Sequence, residues 1–294
     1  MFKFGRNYRL RISDEETGDA VTITLPITIK FTVQRYTGST LNVIKADIYN
    51  LSENVRNFLF QEKWSERRKR IVFEGGYDTL STLYIGELWT GNSYRSGPDI
   101  ITSIEGRSSV WELDNSTVYT TLNDANTVGD VISFLSGQFK DTIPVGAIGE
   151  WPEQLLRPVT LNGNTWNLLK QYSDGTAFVD NGKIFVLRRN ETIDGDLLTI
   201  TQENGLLSTP VRRDLNIQVN ILFEPRIVMN QEITLAIQNT QFLSGVGSVY
   251  NGTYKVFGIQ HQGTISEAEN GSCITTIELY AGGIEFRSVG QNVQ

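Results

Sequence analysis

The sequence predicts a β-rich α+β fold. Two antiparallel β domains, each a barrel or sandwich, are related by an internal repeat and separated by a small inserted α/β domain. Three observations carry this. The 294 residues include 27 Ile, 21 Val and 29 Thr but only 8 Ala, and β-branched side chains favour strands over helices. Period-two alternation of apolar and polar residues dominates both ends of the chain, whereas helical spacing is short and mostly central. Finally, two segments recur. LNVIKADIYNLS from Leu41 matches LNIQVNILFEP from Leu215, and ITSIE from Ile101 matches ITTIE from Ile274. The separations are 101 − 41 = 60 and 274 − 215 = 59. Between these ends, Tyr84 to Trp89 is set against Tyr254 to Ile259. The resulting division is 1–122 (first β domain), 123–198 (α/β insertion), 199–286 (second β domain) and 287–294 (tail).

Taken in order, Tyr8, Leu10 and Ile12 alternate with Arg9 and Arg11. From Val21 to Val33, Ile23, Leu25, Ile27, Ile29 and Phe31 share one parity, which predicts a long ribbon with one buried face. Pro26 inside it predicts a bend, an edge or a split. Leu41 to Tyr49 reads as a strand. Asn50 to Trp64 reads as a helix, capped by Ser52 and striped by Val55, Phe58 and Leu59. Strands follow at Arg70 to Phe73, Leu83 to Trp89 and Ile100 to Glu105. Ser96-Gly97-Pro98 marks the turn between the last two.

In the middle, Asn126 or Thr127 caps a helix with Val128, Val131, Ile132, Leu135 and Phe139 on one face. Thr165 is placed to cap a second, carrying Trp166, Leu168, Leu169 and Tyr172. Asp180-Asn181-Gly182 between two apolar runs predicts a hairpin, because Asn and Gly tolerate positive φ. The last third returns to strands at Asn216 to Phe223, Glu232 to Ile237, Thr253 to Gln260 and Ser272 to Tyr280.

Composition excludes much chemistry. With one His and one Cys, no Cys/His zinc site and no internal disulfide can form. No cofactor is called for. No N-terminal apolar leader and no apolar run of transmembrane length is seen, so no membrane integration is expected. Lys plus Arg number 26 and Asp plus Glu 33, a formal charge of −7, which opposes general nucleic-acid binding.

Few constellations remain. His261 and Cys273 both share parity with apolar neighbours; packed core residues are favoured over a nucleophile pair. Glu105 and Glu278 read as matching strand ends rather than as a glycosidase pair. Trp64, Trp89, Trp111, Trp151 and Trp166 suit core or interface positions more than sugar stacking. Gly245-Val246-Gly247 lacks a third glycine and reads as a loop, not a dinucleotide fingerprint. The basic run Arg67, Arg68, Lys69 and Arg70 is either a solvated loop or a docking patch.

Dispersed motifs then add up. Ile48 to Ser52 ends a strand before a short helix. Gly76-Tyr77, Ile85-Gly86 and the run RSGPDIITSIE from Arg95 to Glu105 follow it. GLLSTPVRRD from Gly205, Glu224-Pro225-Arg226, and YNGTYKVFGIQHQG from Tyr250 complete the series. In this order they resemble phage baseplate hub proteins of contractile-tailed type, over most of the chain. The resemblance implies two tail-tube-like β domains with an α/β insertion, and gives His261 a framework role. It implies a non-enzymatic homotrimer forming a ring of pseudo-sixfold symmetry that joins a hexameric tail tube to a trimeric spike. Its expected partners are the tail tube protein, the spike protein, wedge proteins and the tape-measure protein, with genomic DNA only in transit. Its expected location is the virion tail baseplate, after assembly in the bacterial host cytoplasm. Spike and lysozyme parts are expected on separate chains. The other readings weighed are a distal-tail hub of a non-contractile phage and a carbohydrate-binding or glycan-cleaving tail protein.

On this reading the ribbon of Val21, Ile23, Leu25, Ile27, Ile29 and Phe31 is expected to continue sheets between subunits. Arg67 to Arg70 is expected to dock a neighbouring baseplate or tube protein.

Overall fold

A computed structural model describes residues 5–37, 42–65, 68–108, 110–139, 142–195, 198–213, 216–237, 250–267, 271–280 and 286–290. The first unit holds β1 (Asn7–Ser13), β2 (Ala20–Thr24), β3 (Ile29–Tyr36), β4 (Val43–Tyr49), α1 (Glu53–Leu59), β5 (Arg70–Gly76), β6 (Leu80–Ser96) and β7 (Asp99–Arg107). The expected long ribbon is split around Pro26 into β2 and β3. The helix is shorter than its apolar stripe suggested, and Ser52 at its N-cap makes no side-chain cap bond. Gly97 turns β6 into β7 at a φ of 61°, as the Ser-Gly-Pro signal predicts.

The middle unit holds α2 (Val110–Asn115), β8 (Thr117–Leu122), α3 (Val128–Gly137), β9 (Val145–Ile148), β10 (Val159–Asn164), α4 (Thr165–Tyr172), β11 (Ala177–Asp180) and β12 (Lys183–Val186). Thr127 and Asp130 form a capping box on α3, satisfying two terminal donors reciprocally. Asn164, not Thr165, caps α4 by accepting from the Asn167 N–H at 2.9 Å. Asn181 and Gly182, at φ of 47° and 71°, form the two-residue turn of the β11–β12 hairpin. Since β8 pairs with β10 and Leu113 and Val118 pack with Val131, Leu135 and Val186, this unit begins before the expected boundary at 122.

The last unit holds β13 (Glu191–Ile193), β14 (Leu198–Ile200), β15 (Val211–Arg213), β16 (Asn216–Leu222), β17 (Glu232–Leu235), β18 (Gly252–Ile265), β19 (Cys273–Tyr280) and β20 (Arg287–Val289). Among the described residues the two β units merge into one sheet of thirteen strands, with main path β15-β16-β19-β18-β3-β4-β7-β6-β5-β1-β2. The antiparallel β18–β3 pair is the seam between units, running from Gly258 opposite Tyr36 to Ile265 opposite Ile29. The sheet is long and open rather than a closed barrel.

Registers establish the repeat more firmly than letters do. Ile44 faces Gly106 and Ile217 faces Leu279; 217 − 44 and 279 − 106 are both 173. Both units carry a bulge in the next strand, between Leu88 and Thr90 and between Val256 and Gly258, a shift of 168. Arg70 faces Glu87 as Glu232 faces Lys255. Thr32 faces Lys45 as Val211 faces Gln218. The strands β3-β4-β7-β6-β5 therefore correspond to β15-β16-β19-β18-β17. Main-chain contacts agree: the Leu88 N–H donates to the Lys69 carbonyl at 2.7 Å and the Val256 N–H to the Gln231 carbonyl at 2.9 Å. The Leu41/Leu215 match is one residue out of this register, and Tyr84/Tyr254 two. A one-residue slip turns side chains to the wrong face, and the inward residues Ile44, Ala46 and Ile48 correspond to Ile217, Val219 and Ile221.

Candidate functional site

Among the described residues no group of His, Cys, Asp and Glu side chains is arranged to hold a metal ion, and the candidate functional features are junctions and edges. The first junction sits where all three units meet. Arg35 occupies an inward position on β3 and is only 1% exposed. Its guanidinium donates to the Ile227 carbonyl at 2.9 Å and reaches Asp180 at 3.5 Å. Asn42 donates to Asp180 at 3.0 Å and to the Val179 carbonyl at 3.0 Å. The β11–β12 turn is thereby tied to the first unit, and the first unit to the last. Burial pushes the Asp180 carboxyl up, against the pull of Arg35 and the Asn42 hydrogen bond. Sequence reading passed over Arg35, though the alternation of β3 carried the signal: it is a charged residue on the inward parity.

A second junction uses Lys255, which is buried on β18. Its ammonium donates to the carbonyls of Glu191 at 2.6 Å, Arg188 at 3.1 Å and Arg189 at 3.4 Å. Burial lowers its pKa to about 8, with Glu191 opposing. Nearby, Glu191 accepts from the Arg188 and Glu150 N–H groups at 2.8 and 2.9 Å.

The basic run lies beside a cleft shared with the middle unit. Arg68 lies over the Trp89 ring at 4.3 Å and Arg107 over the same ring at 4.5 Å, two cation–π contacts. Arg68 also donates to the Trp89 carbonyl at 3.2 Å. Lys69 donates to the Phe60 carbonyl and to Gln61, both at 3.3 Å. Arg70 pairs with Glu15 at 3.4 Å on the surface. Arg67 lies outside the described residues. Arg68 and Lys69 are thus bound into the local structure. In the same cleft Glu87 is raised to about 8, first by burial, then by the hydrogen bond and charge of Glu112.

The apolar ribbon divides by position. Ile29 and Phe31 lie on β3, which has β4 on one side and β18 on the other, so pairing between subunits through them is corrected: both backbone edges are used within the chain. Val21 and Ile23 lie on β2, the last strand of the sheet at that end. Leu25 and Ile27 lie between the two strands and pack against the first core.

His261 is fully buried, its Nδ1 2.9 Å from the Thr275 hydroxyl and its ring edge-on to Phe223 at 5.7 Å. Burial, then Arg35, holds its pKa well below the usual imidazole value. Cys273 instead donates to the Thr264 carbonyl at 3.4 Å, and burial raises its thiol. Each has its own partner, as core packing predicts. Glu105 and Glu278 occupy equivalent positions of the repeat, Glu105 opposite Thr90 and Glu278 opposite Gly258. Trp166 is buried against Phe139, and Trp151 stacks with Arg188 at 4.7 Å. Trp64 and Trp111 are exposed. The 245–247 loop lies outside the described residues. No described helix is long and apolar enough to cross a membrane.

Comparison with known proteins agrees with this picture. The chain is similar in fold to the 43 kDa tail protein of prophage MuSo2 from Shewanella oneidensis, with a TM-score of 0.58 at 11% identity, covering 94% of this chain and 98% of that one. A tail protein from Neisseria meningitidis MC58 gives 0.59 at 10% identity, covering 96% and 98%. A chain of the Francisella PdpA-VgrG complex gives 0.52 at 9% identity, covering 96% of this chain but 59% of its own. No curated protein matches by sequence. The family model described as baseplate hub gp41 matches residues 9–262. The chain belongs to the baseplate hub gp41 family.

Proposed function

We propose that this phage baseplate hub protein works as a homotrimeric ring. Its six β units, two per chain, present pseudo-sixfold symmetry to a hexameric tail tube on one face and threefold symmetry to a trimeric spike on the other. The ring encloses the channel through which tape-measure protein and genome pass, and its outer surface meets wedge proteins. The observation that carries this reading is the repeat: five strands in matching register with the same bulge, joined head to tail inside one chain at the β3–β18 seam. A heterologous contact of that kind propagates into a ring when its rotation closes. The net charge of −7 suits a channel that must release DNA. Light scattering of the purified chain, with electron microscopy, tests it: the expected result is a trimer seen as rings. A stable dimer, or a monomer at all concentrations, overturns it.

Within that reading Arg70, exposed beside Glu15, docks a neighbouring baseplate protein. Unchanged baseplate assembly by Arg70→Glu would sink that assignment.

A further inference from the structure

The repeat contains one interface already made, and among the described residues it leaves both halves of a second one open. At the seam, β3 of the first unit lies along the second half of β18 of the last unit. Thr32 faces Gln262, Val33 faces His261 and Gln34 faces Gln260. By the repeat registers, β3 corresponds to β15, and Gln260, His261 and Gln262 correspond to Asn92, Ser93 and Tyr94 of β6. β15 is the last strand of the sheet at its end. On β6, Leu80 to Glu87 pairs with β5; beyond that the side away from β7 carries the Leu88 N–H bond to the Lys69 carbonyl and the Gln61–Gly91 bridge, and among the described residues Asn92 to Tyr94 pair with β7 alone.

We propose that Asn92 to Tyr94 of one copy pairs antiparallel with β15 of a second copy, with Val211 opposite Tyr94, Arg212 opposite Ser93 and Arg213 opposite Asn92. This rests on the ring reading above and names its contact between chains.

Four observations on this chain support the pair. Exposure differs between the units as a missing neighbour requires: His261 is fully buried under β3, while its counterpart Ser93 is exposed. The bond beneath is already in place, for the Ser93 hydroxyl lies 3.0 Å from that of Thr102 as His261 lies 2.9 Å from that of Thr275. Val211 and Tyr94, which the register sets face to face, are 53% and 51% exposed. Such a β-branched and aromatic pair is a favourable cross-strand combination. Finally, the lengths fit. Arg213 arrives opposite Asn92, one residue short of Gly91, whose N–H and carbonyl are taken by Gln61 at 2.9 and 3.0 Å. A groove of about 400 Å³ lined by Glu53, Arg56, Asn57 and Phe60 together with Asn92 to Arg95 leaves room for the incoming strand.

Main-chain hydrogen bonds would supply adhesion and the Tyr94–Val211 contact would fix register, as in strand addition to a sheet edge. The occupant is a second copy because the same chain supplies both complementary edges, and neither can reach the other within one molecule: each lies on the far side of its unit from the seam.

The test is a cysteine pair in the full chain, Tyr94→Cys with Val211→Cys, oxidised and run on a non-reducing gel beside light scattering. Directly opposed strand residues lie about 4.5–5.5 Å apart at Cβ, near disulfide spacing. Both positions are exposed, and the native Cys273 is buried. The expected result is conversion of most monomer to a reducible ladder that closes at three. The shifted pair, Tyr94→Cys with Arg213→Cys, should give none. A trimer without the ladder, or an equal ladder from the shifted pair, overturns the strand pair and leaves the hub reading standing. A monomer that neither associates nor cross-links overturns both. A ladder running past three supports the strand pair and overturns threefold closure.

Discussion

The two β units share a backbone and differ in chemistry at one telling position. Where β5 meets β6, Arg70 faces Glu87; where β17 meets β18, Glu232 faces Lys255. The order of charge is reversed. In the first unit the acid is the more buried member, pushed up to about 8 by burial and by Glu112. In the second the base is buried, pulled down to about 8 and held by three carbonyls. What is kept is the main-chain bond beside each pair and the bulge that follows. The lesson is that the repeat is preserved in register and bulge, devices that set strand direction and twist, while side chains answer to local neighbours. In the first unit those neighbours are Arg68, Arg107 and the middle unit; in the second they are the 188–191 segment.

The largest effect is expected at the node by which Arg35 ties the first unit to Asp180 and to the Ile227 carbonyl. Arg35→Ala should cost about 3–5 kcal/mol, because it leaves Asp180 buried without its cation. Denaturant unfolding measures this. A loss below about 1 kcal/mol, the level of a surface pair, would show that the node contributes little to holding the units together.

Gly91 gives a sharper and smaller contrast. Its counterpart in the second unit is Ile259, fully buried in the core. A Cβ on Gly91 would sit 1.9 Å from the Leu59 carbonyl oxygen, because the end of α1 crosses β6 there. Gly91→Ala should therefore cost about 1–3 kcal/mol by overpacking, whereas Ile259→Val should cost about 0.5–1.5 kcal/mol by loss of one methyl. Thermal unfolding of both variants separates the cases. Equal small effects would mean that α1 yields easily and does not define the first unit.

Much of this was legible in the sequence, and the reasons are local. The Asn181-Gly182 turn, the Thr127 cap and the inward parity of β1, β3 and β4 follow from φ preference, capping geometry and alternation within a few residues. The repeat was legible as an order of strands but not in register. Letter matches at Leu41/Leu215 favour the wrong offset by one, and only pairing partners reveal it. Unequal connections between strands change the offset again, from 173 on β4 and β16 to 168 on β6 and β18, which is why Tyr84 does not match Tyr254. The full ribbon of Val21 to Val33 was not a single strand, and β3 proved to be interior. That depends on a partner more than two hundred residues away, which alternation cannot report. The pairing of Arg35 with Asp180 and of Glu87 with Glu112 likewise joins separate elements, which alternation within one strand does not report.

The smallest effects lie in pH dependence, where the two charge positions should act with opposite sign. Between about 4.5 and 8 the folded chain holds a proton on Glu87 that the unfolded chain has released, so stability falls as pH rises through that window and this loss stops above 8. Between about 8 and 10.5 the unfolded chain holds a proton on Lys255 that the folded chain has released, so stability rises with pH there. The two contributions meet in a minimum near pH 8. Below about 6.5 the buried His261 contributes with the opposite sign to Glu87, so the clean acid-side window is 6.5 to 8. After discounting for solvent screening, each arm should be about 1 kcal/mol over one to two pH units. Unfolding curves of Glu87→Gln and Lys255→Met, each subtracted from the parent at matched pH, cancel the other titrating groups. Glu87→Gln should remove the fall from 6.5 to 8 and leave the rise above 8 intact; Lys255→Met should do the reverse. If either variant merely shifts the whole profile in parallel, that position is not titrating. The reversal of charge between the units would then be a matter of packing alone.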